Sequence, residues 1–340
     1  MALRYRIALL TALVISAAHA QSLPKSVLGQ GWGLDHIEIG LSDSRVANDT
    51  FGAKLGFSVL PGTKFPADGL QNAAIVMFPA YIELIWPYQK STNQKGRLAE
   101  RIGLGGGPAE YNIDVSPAAE TAATLRGLGL TVTLPTSLTI LGADGKEQPG
   151  PWQFVSISTE DKVKVPVGVP GGPGVGFLEY RNNAQHLAPD RLQSLRERLE
   201  RDAPDARRLP GEFHANTARR WVSVWVAVPS VAEAVRQSER FGFAPGAERQ
   251  LAALGAHGRE VACGRGSIVF WEPVNNTSLL ASLIKKYGLG PFGIGVEVAD
   301  LRKAHQIAEL GTQSTLPIDR NSFLAPGDLA GGTWIEFVQQ

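Results

Sequence analysis

The sequence contains one cysteine, Cys263, among 340 residues. A single cysteine cannot form an intramolecular disulfide, so a disulfide-stapled scaffold is excluded and the fold must be stabilised by its core, even in an oxidising compartment. Cys263 lies in the strand-like run EVACG, where we expect it to be a small buried apolar side chain. The hydrophobic fraction of 44% is ordinary for globular proteins and can supply such a core.

The chain also lacks an excess of charge of one sign. It has 33 Lys and Arg residues against 32 Asp and Glu residues. Binding to nucleic acid depends on clustered positive charge, and a balanced chain offers no such surface. We therefore expect no nucleic-acid partner.

Long apolar runs are missing after the first 20 residues. Arg4 and Arg6 precede an apolar stretch at residues 7–17, and the small-residue triplet AHA follows at 18–20. This order is typical of a secretory signal peptide, and the stretch is shorter than the roughly 20 apolar residues that span a bilayer. We expect a cut after residue 20, a periplasmic or secreted protein, and no membrane attachment of the mature chain.

One order of elements recurs four times along the rest of the chain: a strand, a helix, a glycine turn and further strands. The first strands are DHIEIGL (35–41), EYNIDV (110–115), WVSVWVAV (221–228) and FGIGVEV (292–298), and helices are predicted at about 44–55, 117–128, 230–241 and 301–310. The glycines expected to end these helices are Gly56, Gly129, Gly242 and Gly311. The last strands each carry one glutamate: Glu83, Glu179, Glu272 and Glu336. The sequence thus predicts four copies of a βαβββ-type module.

Alternation along the first strands aligns the four copies. Side chains at every second position face the helix, and the residues between them face the other way. Matching the apolar positions of the first two copies pairs His36 with Glu110. The same operation pairs His36 with Ser223 and Gly293 in the last two copies.

Residues 182–218 separate the second copy from the third. Their middle, about 190–201, predicts a charged helix with few large apolar residues, and their ends are rich in Pro, Asn and Ala. Few contacts are expected across such a segment, so we interpret it as a linker between an N-terminal domain at 31–181 and a C-terminal domain at 219–340.

The first copy resembles the opening module of the vicinal oxygen chelate superfamily, in particular its glyoxalase-like domains. The resemblance lies in DHIEIGLSDSRVANDTFGAKLGF followed by YIELI: a His on the first strand, a helix ending in Leu-Gly-Phe, and a Glu on the last strand. It implies an α+β fold in which tandem βαβββ modules pair into half-open β-barrels, two barrels in this chain. The C-terminal pair would be a degenerate copy.

The resemblance also implies a metal site in the N-terminal barrel, where first and last strands line one cavity. It gives His36, Glu83 and Glu179 as metal ligands and Glu179 as a catalytic carboxylate. Strand alternation adds Glu110 as a second catalytic carboxylate, at a position where the family pattern favours His or Gln. One imidazole and several carboxylates suit zinc, manganese, iron(II) or nickel. The implied activity is that of a lyase, isomerase or ring-opening dioxygenase acting on a small oxygenated molecule, with Tyr81, Trp86 and Phe177 near the cavity.

Two other interpretations stay open at this point. An incomplete ligand set would leave a metal-free pocket that binds or sequesters a small molecule. The repeats could also serve to build a surface for a homodimer. For the C-terminal pair we expect no metal chemistry, because Ser223 and Gly293 replace His36 and Glu110, and only Glu272 and Glu336 remain.

Overall fold

The computed structural model describes residues 25–77, 80–91, 94–141, 144–150, 152–180 and 214–339. The predicted signal peptide and the predicted charged helix of the linker lie outside these residues, and the domain boundaries stay a prediction. Within the described ranges, no helix combines the length and the apolar character needed to cross a membrane.

The first half of the chain forms a seven-stranded sheet. The strands of this half, seven in the sheet and two in a separate hairpin, are β1 (Gly33–Gly40), β2 (Leu60–Phe65), β3 (Leu70–Met77), β4 (Ala80–Pro87), β5 (Gly107–Asp114), β6 (Thr139–Leu141), β7 (Glu147–Pro149), β8 (Trp152–Val155) and β9 (Val175–Tyr180). Its helices are α1 (Ser44–Val46), continued by a π-helical segment (Ala47–Lys54), α2 (Gly96–Gly103), α3 (Ala118–Gly127) and α4 (Thr159–Lys162). The strand order is β2-β3-β4-β1-β5-β9-β8, and β6 and β7 form a separate hairpin. The two modules meet where β1 pairs antiparallel with β5.

The second half repeats this arrangement in an eight-stranded sheet. Its strands are β10 (Ala218–Ala227), β11 (Pro245–Leu251), β12 (Ala256–Cys263), β13 (Gly266–Pro273), β14 (Gly290–Val298), β15 (Leu316–Asp319), β16 (Ser322–Ala325) and β17 (Trp334–Val338). Its helices are α5 (Val231–Arg240), α6 (Leu279–Tyr287) and α7 (Leu301–Thr312), with a short 3-10 helix at Ala252–Leu254. The strand order is β11-β12-β13-β10-β14-β17-β16-β15. The predicted α+β fold of paired modules in two half-open sheets is confirmed.

Strand alternation explains which side of each sheet packs on the helices. Ile37 and Ile39 of β1 are fully buried together with Phe51 of the π-helical segment. Burying one such side chain contributes about 1.5–3 kcal/mol. The same core cluster includes Val224 of β10 and Phe337 of β17, so the helix-facing sides of the two halves share one apolar core.

The glycines after the predicted helices have two different roles. Three of them follow their helices with positive φ: Gly56 (74°), Gly129 (84°) and Gly242 (79°). Gly311 does not end its helix, because α7 continues to Thr312 and Gln313 takes the left-handed conformation instead. A Cβ at Gly311 would lie 2.1 Å from the Lys54 carbonyl oxygen. Close packing against the π-helical segment therefore requires this glycine, and its predicted role as a helix stop was wrong.

Helix α2 was not predicted, and it lies between the two halves. Arg97 donates from Nη2 to the Leu289 carbonyl at 2.9 Å, and Arg101 donates from Nη2 to the Pro291 carbonyl at 3.3 Å. Another side of the same helix carries Leu98, which lines the cavity described below. The C-terminal half thus holds in place a helix that borders the cavity of the N-terminal half.

Candidate metal centre

The first sheet curls around a cavity of about 620 Å³. The sheet, α2 and the β6–β7 hairpin all contribute to its lining. Thr63 of β2 donates its hydroxyl to the Leu141 carbonyl at 3.3 Å and so attaches the hairpin to the sheet. His36, Glu38, Glu83 and Glu110 form a polar group on a lining that is otherwise mainly apolar and aromatic.

Strand register brings these polar residues together. In the parallel β1–β4 pair, His36 lies beside Tyr81 and Glu38 beside Glu83. In the antiparallel β1–β5 pair, His36 lies opposite Asn112 and Glu38 opposite Glu110. Directly paired residues project to the same face of a sheet, so these side chains share the cavity face at the centre of the sheet.

His36, Glu38 and Glu83 bring three donor atoms close together. His36 Nε2 is 3.5 Å from Glu83 Oε2 and 3.9 Å from Glu38 Oε1. One ligand atom from each residue lies within 4.8 Å of the other two. Zinc, manganese, iron(II) and nickel accept imidazole nitrogen and carboxylate oxygen, and three protein ligands leave positions for water or substrate. The residues present therefore fit a divalent ion.

Asp35 orients the His36 ring. Its Oδ2 is 2.5 Å from His36 Nδ1, so the Nδ1–H donates to the carboxylate and Nε2 is turned towards Glu38 and Glu83. Tyr180 donates its hydroxyl to the same oxygen at 3.2 Å, and Tyr81 stacks on the imidazole with ring centroids 4.7 Å apart. A carboxylate behind a ligating histidine fixes its tautomer and raises its basicity, which is how metal-binding histidines are commonly supported.

The crowding of carboxylates is visible in the pKa values. Burial raises the pKa of Glu38, and the charges of Glu110 and Glu83 add to this effect and bring it to about 8. Burial alone lowers the pKa of His36, but the hydrogen bond and charge of Asp35 and the charges of Glu83 and Glu38 together raise it to about 9. The Glu38 shift thus comes first from burial and then from neighbouring carboxylates, and the same negative charge favours the protonated form of His36.

Two asparagines contact the donor atoms. Asn112 Nδ2 lies 2.9 Å from His36 Nε2 and donates to Glu38 Oε1 at 3.2 Å. Asn72 Nδ2 donates to Glu83 Oε1. Each of the three candidate ligands therefore has a hydrogen-bond partner in this arrangement, which is how buried polar groups are stabilised.

Glu110 lines the cavity, whereas Glu179 points away from it. Glu179 accepts a hydrogen bond from Ser116 Oγ at 3.0 Å and another from the backbone N–H of Ala118 at 2.8 Å. Ala118 is the first residue of α3, so this carboxylate caps a helix N-terminus, where negative charge is favoured. The structure does not bring Glu179 together with His36 and Glu83.

The register gives the reason for this placement. Glu38 and Asn112 are equivalent in the two modules, and their neighbours on the last strands are Glu83 and Gly176. Gly176 therefore occupies the position of Glu83, and a Cβ there would lie 2.0 Å from Asn112 Oδ1. Glu179 follows three residues later, and an odd number of steps along a strand leads to the opposite face.

Helix capping by a residue on, or directly after, the last strand of a module recurs in the second half. Glu272 accepts from the backbone N–H of Val231, the first residue of α5, at 2.6 Å. Gln339 accepts from the backbone N–H of Leu301, the first residue of α7, at 3.3 Å. The glutamates of the last strands are thus of two kinds: Glu83 and Glu336 lie at the cavity-facing register position, while Glu179 and Glu272 cap helices.

Glu38 and Asn112 were missed by the sequence reasoning, although a signal for Glu38 was present. It stands two residues after His36, so alternation places both on one face. Among the predicted aromatic residues, Tyr81 lines the cavity, whereas Trp86 and Phe177 pack in the apolar core. The other aromatic side chains of the lining are Phe65, Trp152, Phe154 and Tyr180.

The corresponding face of the second sheet is filled with side chains. Trp225 lies opposite Gly293 on that face and packs in one cluster with Trp271 and Trp334. Glu336 is buried and pairs with Arg249 at 3.3 Å. Glu336 thus pairs with an arginine, whereas Glu83 lies beside a histidine and an asparagine.

Comparisons with known proteins agree with this architecture. A family model described as a glyoxalase-like domain matches residues 34–201. No curated protein sequence matches the chain. The fold is similar to the crystal structure of a hypothetical protein from Staphylococcus aureus, with a TM-score of 0.55 and 11% identity over 90% of this chain and 98% of that chain. It is also similar to a triple mutant of 4-hydroxymandelate synthase from Streptomyces coelicolor, with a TM-score of 0.56 and 14% identity over 91% of this chain and 92% of that chain.

At such identities the similarity to the solved structures concerns the fold alone. The fold repeats paired βαβββ modules in two half-open sheets, and the sequence match covers the half that contains the cavity. Residues 34–201 thus contain a glyoxalase-like domain, and this match together with the paired-module fold indicates the vicinal oxygen chelate superfamily.

Proposed function

We propose that this protein is a metal-dependent enzyme, a lyase or isomerase, that acts on a small oxygenated molecule in the cavity of the first sheet. The observation that carries the proposal is the convergence of His36, Glu38 and Glu83 at the wall of a cavity of about 620 Å³. That volume lies within the range of small-molecule sites. Zinc, manganese, iron(II) and nickel are the ions that suit the donors.

The position of Glu110 in the cavity supports proton transfer as the reaction step at this site. A bound divalent ion would polarise a carbonyl or enolate oxygen of the substrate. Glu110 lines the same cavity but does not belong to the group of three donors. Its carboxylate can therefore remain outside the metal's ligand set and accept a proton from the carbon next to that oxygen, as a general base does. Ring opening by dioxygen is the alternative reaction that we propose for this site.

The expected result is one equivalent of metal per chain, bound through His36. The full chain is stripped with a chelator and reloaded separately with zinc, manganese, iron(II) and nickel, and the bound metal is measured by elemental analysis. His36→Ala removes the nitrogen donor and is expected to abolish uptake. His305→Ala, which changes a histidine on the exposed side of α7, is the matched control and is expected to bind like the parent. Less than about a tenth of an equivalent after reloading would count against the enzyme.

A metal-free binding protein of the same fold is the second candidate. The contact of 2.9 Å between Asn112 Nδ2 and His36 Nε2 favours it, because the amide lies against the nitrogen that an ion would use. Asn112→Ala separates the two functions. If the protein is the enzyme, this variant is expected to take up metal as well as the parent or better. If the protein is metal-free, the variant is expected to take up no metal.

We further propose that residues 1–20 are removed as a signal peptide and that the protein works in the periplasm or outside the cell. The charged start, short apolar stretch and small-residue triplet support this proposal. Mass spectrometry of the N-terminus of the exported protein tests it, and an intact N-terminus would contradict it.

A further inference from the structure

The cavity carries a clear excess of negative charge. Glu38, Glu83 and Glu110 line it, and Asp35 supports His36 from behind. Four carboxylates against one divalent ion leave a net charge of −2. Negative charge also prevails without the ion, whichever protonation state the imidazole has.

Few cations compensate this charge. Among the described residues that line the cavity, Lys95 is the only lysine or arginine, and it is exposed at the start of α2, with Asp68 in the same lining. Arg97 interacts with the charge of Glu110, but its guanidinium donates to the Ala109 and Leu289 carbonyls and does not line the cavity. An anionic substrate group would meet like charge, and the part of the lining that the structure describes offers no arginine to pair with it.

The remaining lining is apolar on several sides. Phe65 comes from the sheet, Leu98 and Ile102 from α2, Ile140 from the hairpin, and Trp152 and Phe154 from β8. Aromatic and aliphatic walls stabilise apolar groups by removing their surface from water, and the aromatic rings can stack on a ring of the ligand.

From the charge and the lining together, we infer that the substrate is an electrically neutral molecule with a large apolar or aromatic body and an oxygen-bearing head. Its oxygens lie at His36, Glu38 and Glu83, and its body lies among Trp152, Phe154 and Ile102. Phosphorylated, carboxylated and other anionic compounds are rejected by Glu110 and its neighbours. The inference deepens the proposed function and rests on it for the choice of site.

Two compounds of almost the same shape test the charge. 1-Phenyl-1,2-propanedione is neutral, and phenylglyoxylate has a carboxylate oxygen where the dione has a methyl group. Both have an aromatic ring and two adjacent oxygens. Calorimetric titration of the full chain is expected to show at least about tenfold tighter binding of the dione, since like charges at short range repel strongly away from bulk water. 2,3-Butanedione, which lacks the ring, is expected to bind at least about tenfold more weakly than the phenyl dione.

Variants show whether the cavity carboxylates cause the discrimination. Glu110→Gln removes one charge at nearly constant shape and is expected to tighten phenylglyoxylate binding severalfold, with little effect on the dione. Glu248→Gln changes an exposed glutamate of β11 and is expected to leave both affinities unchanged. Phenylglyoxylate binding as tightly as the dione, or no binding of the dione at millimolar concentration, would overturn the inference.

Running the titrations with chelated and with metal-loaded protein separates this inference from the proposed function. The carboxylates are present in both forms, so the preference for the neutral compound is expected in both. If the protein takes up no metal but keeps the preference, the enzyme proposal fails and the inference stands. If it takes up metal but binds the anion equally well, the enzyme proposal stands and the inference fails.

Discussion

At the scale of single residues, Glu83 and Glu179 differ in what surrounds their carboxylates. Glu83 is buried beside His36 and accepts from Asn72, while Glu179 accepts from Ser116 and the start of α3. Both occur in similar runs, YIELI and FLEY, so local sequence does not distinguish them. The strand partner does, since Gly176 and not Glu179 lies beside Asn112.

This difference predicts that substitution by alanine affects metal binding at one position and stability at the other. Glu83→Ala removes a carboxylate donor and is expected to weaken metal binding by at least about tenfold. Substitution of a residue that only hydrogen-bonds to a metal ligand typically costs about that much in affinity. Glu179→Ala removes a helix cap and is expected to cost about 1 kcal/mol of unfolding free energy without changing metal affinity. Metal titration and denaturant unfolding of both variants measure the two effects. Loss of metal binding in Glu179→Ala with normal stability would contradict the assignment.

At the scale of elements, a glycine at a free helix end and a glycine at a helix contact differ in the space that a side chain would have. Gly127 is the last residue of α3, and a Cβ there would meet nothing within 4 Å. Gly311 lies in α7 against the backbone of Lys54. Both glycines are helical, and helix propensity alone favours alanine over glycine at both positions.

The two positions therefore predict opposite changes in stability. Gly127→Ala is expected to raise the free energy of unfolding by about 0.5–1 kcal/mol, because alanine loses less backbone entropy in a helix. Gly311→Ala is expected to lower it by about 1–3 kcal/mol, because the methyl group forces α7 away from the π-helical segment. Urea unfolding of each variant gives both values. Equal stabilisation of the two would mean that the contact at Lys54 is not close in solution.

At the scale of the whole molecule, the second half supports the first through α2. Arg101 is buried, donates to the Pro291 carbonyl and lies over the Tyr287 ring, with the guanidinium carbon 5.5 Å from its centroid. Leu98 and Ile102 of the same helix line the cavity. A role for the C-terminal half in shaping the site therefore follows from contacts that join residues about 190 positions apart.

Arg101→Met tests this support. It leaves the Pro291 carbonyl without its donor and is expected to cost about 1–3 kcal/mol of unfolding free energy. It is also expected to speed hydrogen exchange along 96–103, because α2 loses an anchor. Arg126→Met removes a comparable bond to the Val132 carbonyl within the first half and is the control, expected to leave exchange in α2 unchanged. Unchanged exchange in Arg101→Met would show that α2 is held by other contacts.

Much of this architecture could be predicted because it depends on patterns within short segments. Alternation in DHIEIGL and EYNIDV sets the strands, and spacing of apolar residues sets the helices, whose observed bounds at Ala118–Gly127 and Val231–Arg240 lie within a residue of those expected. Helix α2 was missed because it comes between the first two modules, and the β6–β7 hairpin was missed because it is inserted within the second module; the repeat gives no template for either.

The sequence by itself determined the fold, the number of modules and the cavity-facing position of His36, because strand period and module order are local properties of the chain. Tertiary structure alone decided which carboxylates join it. Glu38 and Glu83 come together through the parallel pairing of β1 with β4, while Glu179 is turned to a helix end by its position on β9. It also decided that one half encloses a cavity and the other a tryptophan cluster. Register and packing between distant segments depend on the summed contacts of whole strands, and a single short run of residues does not contain them.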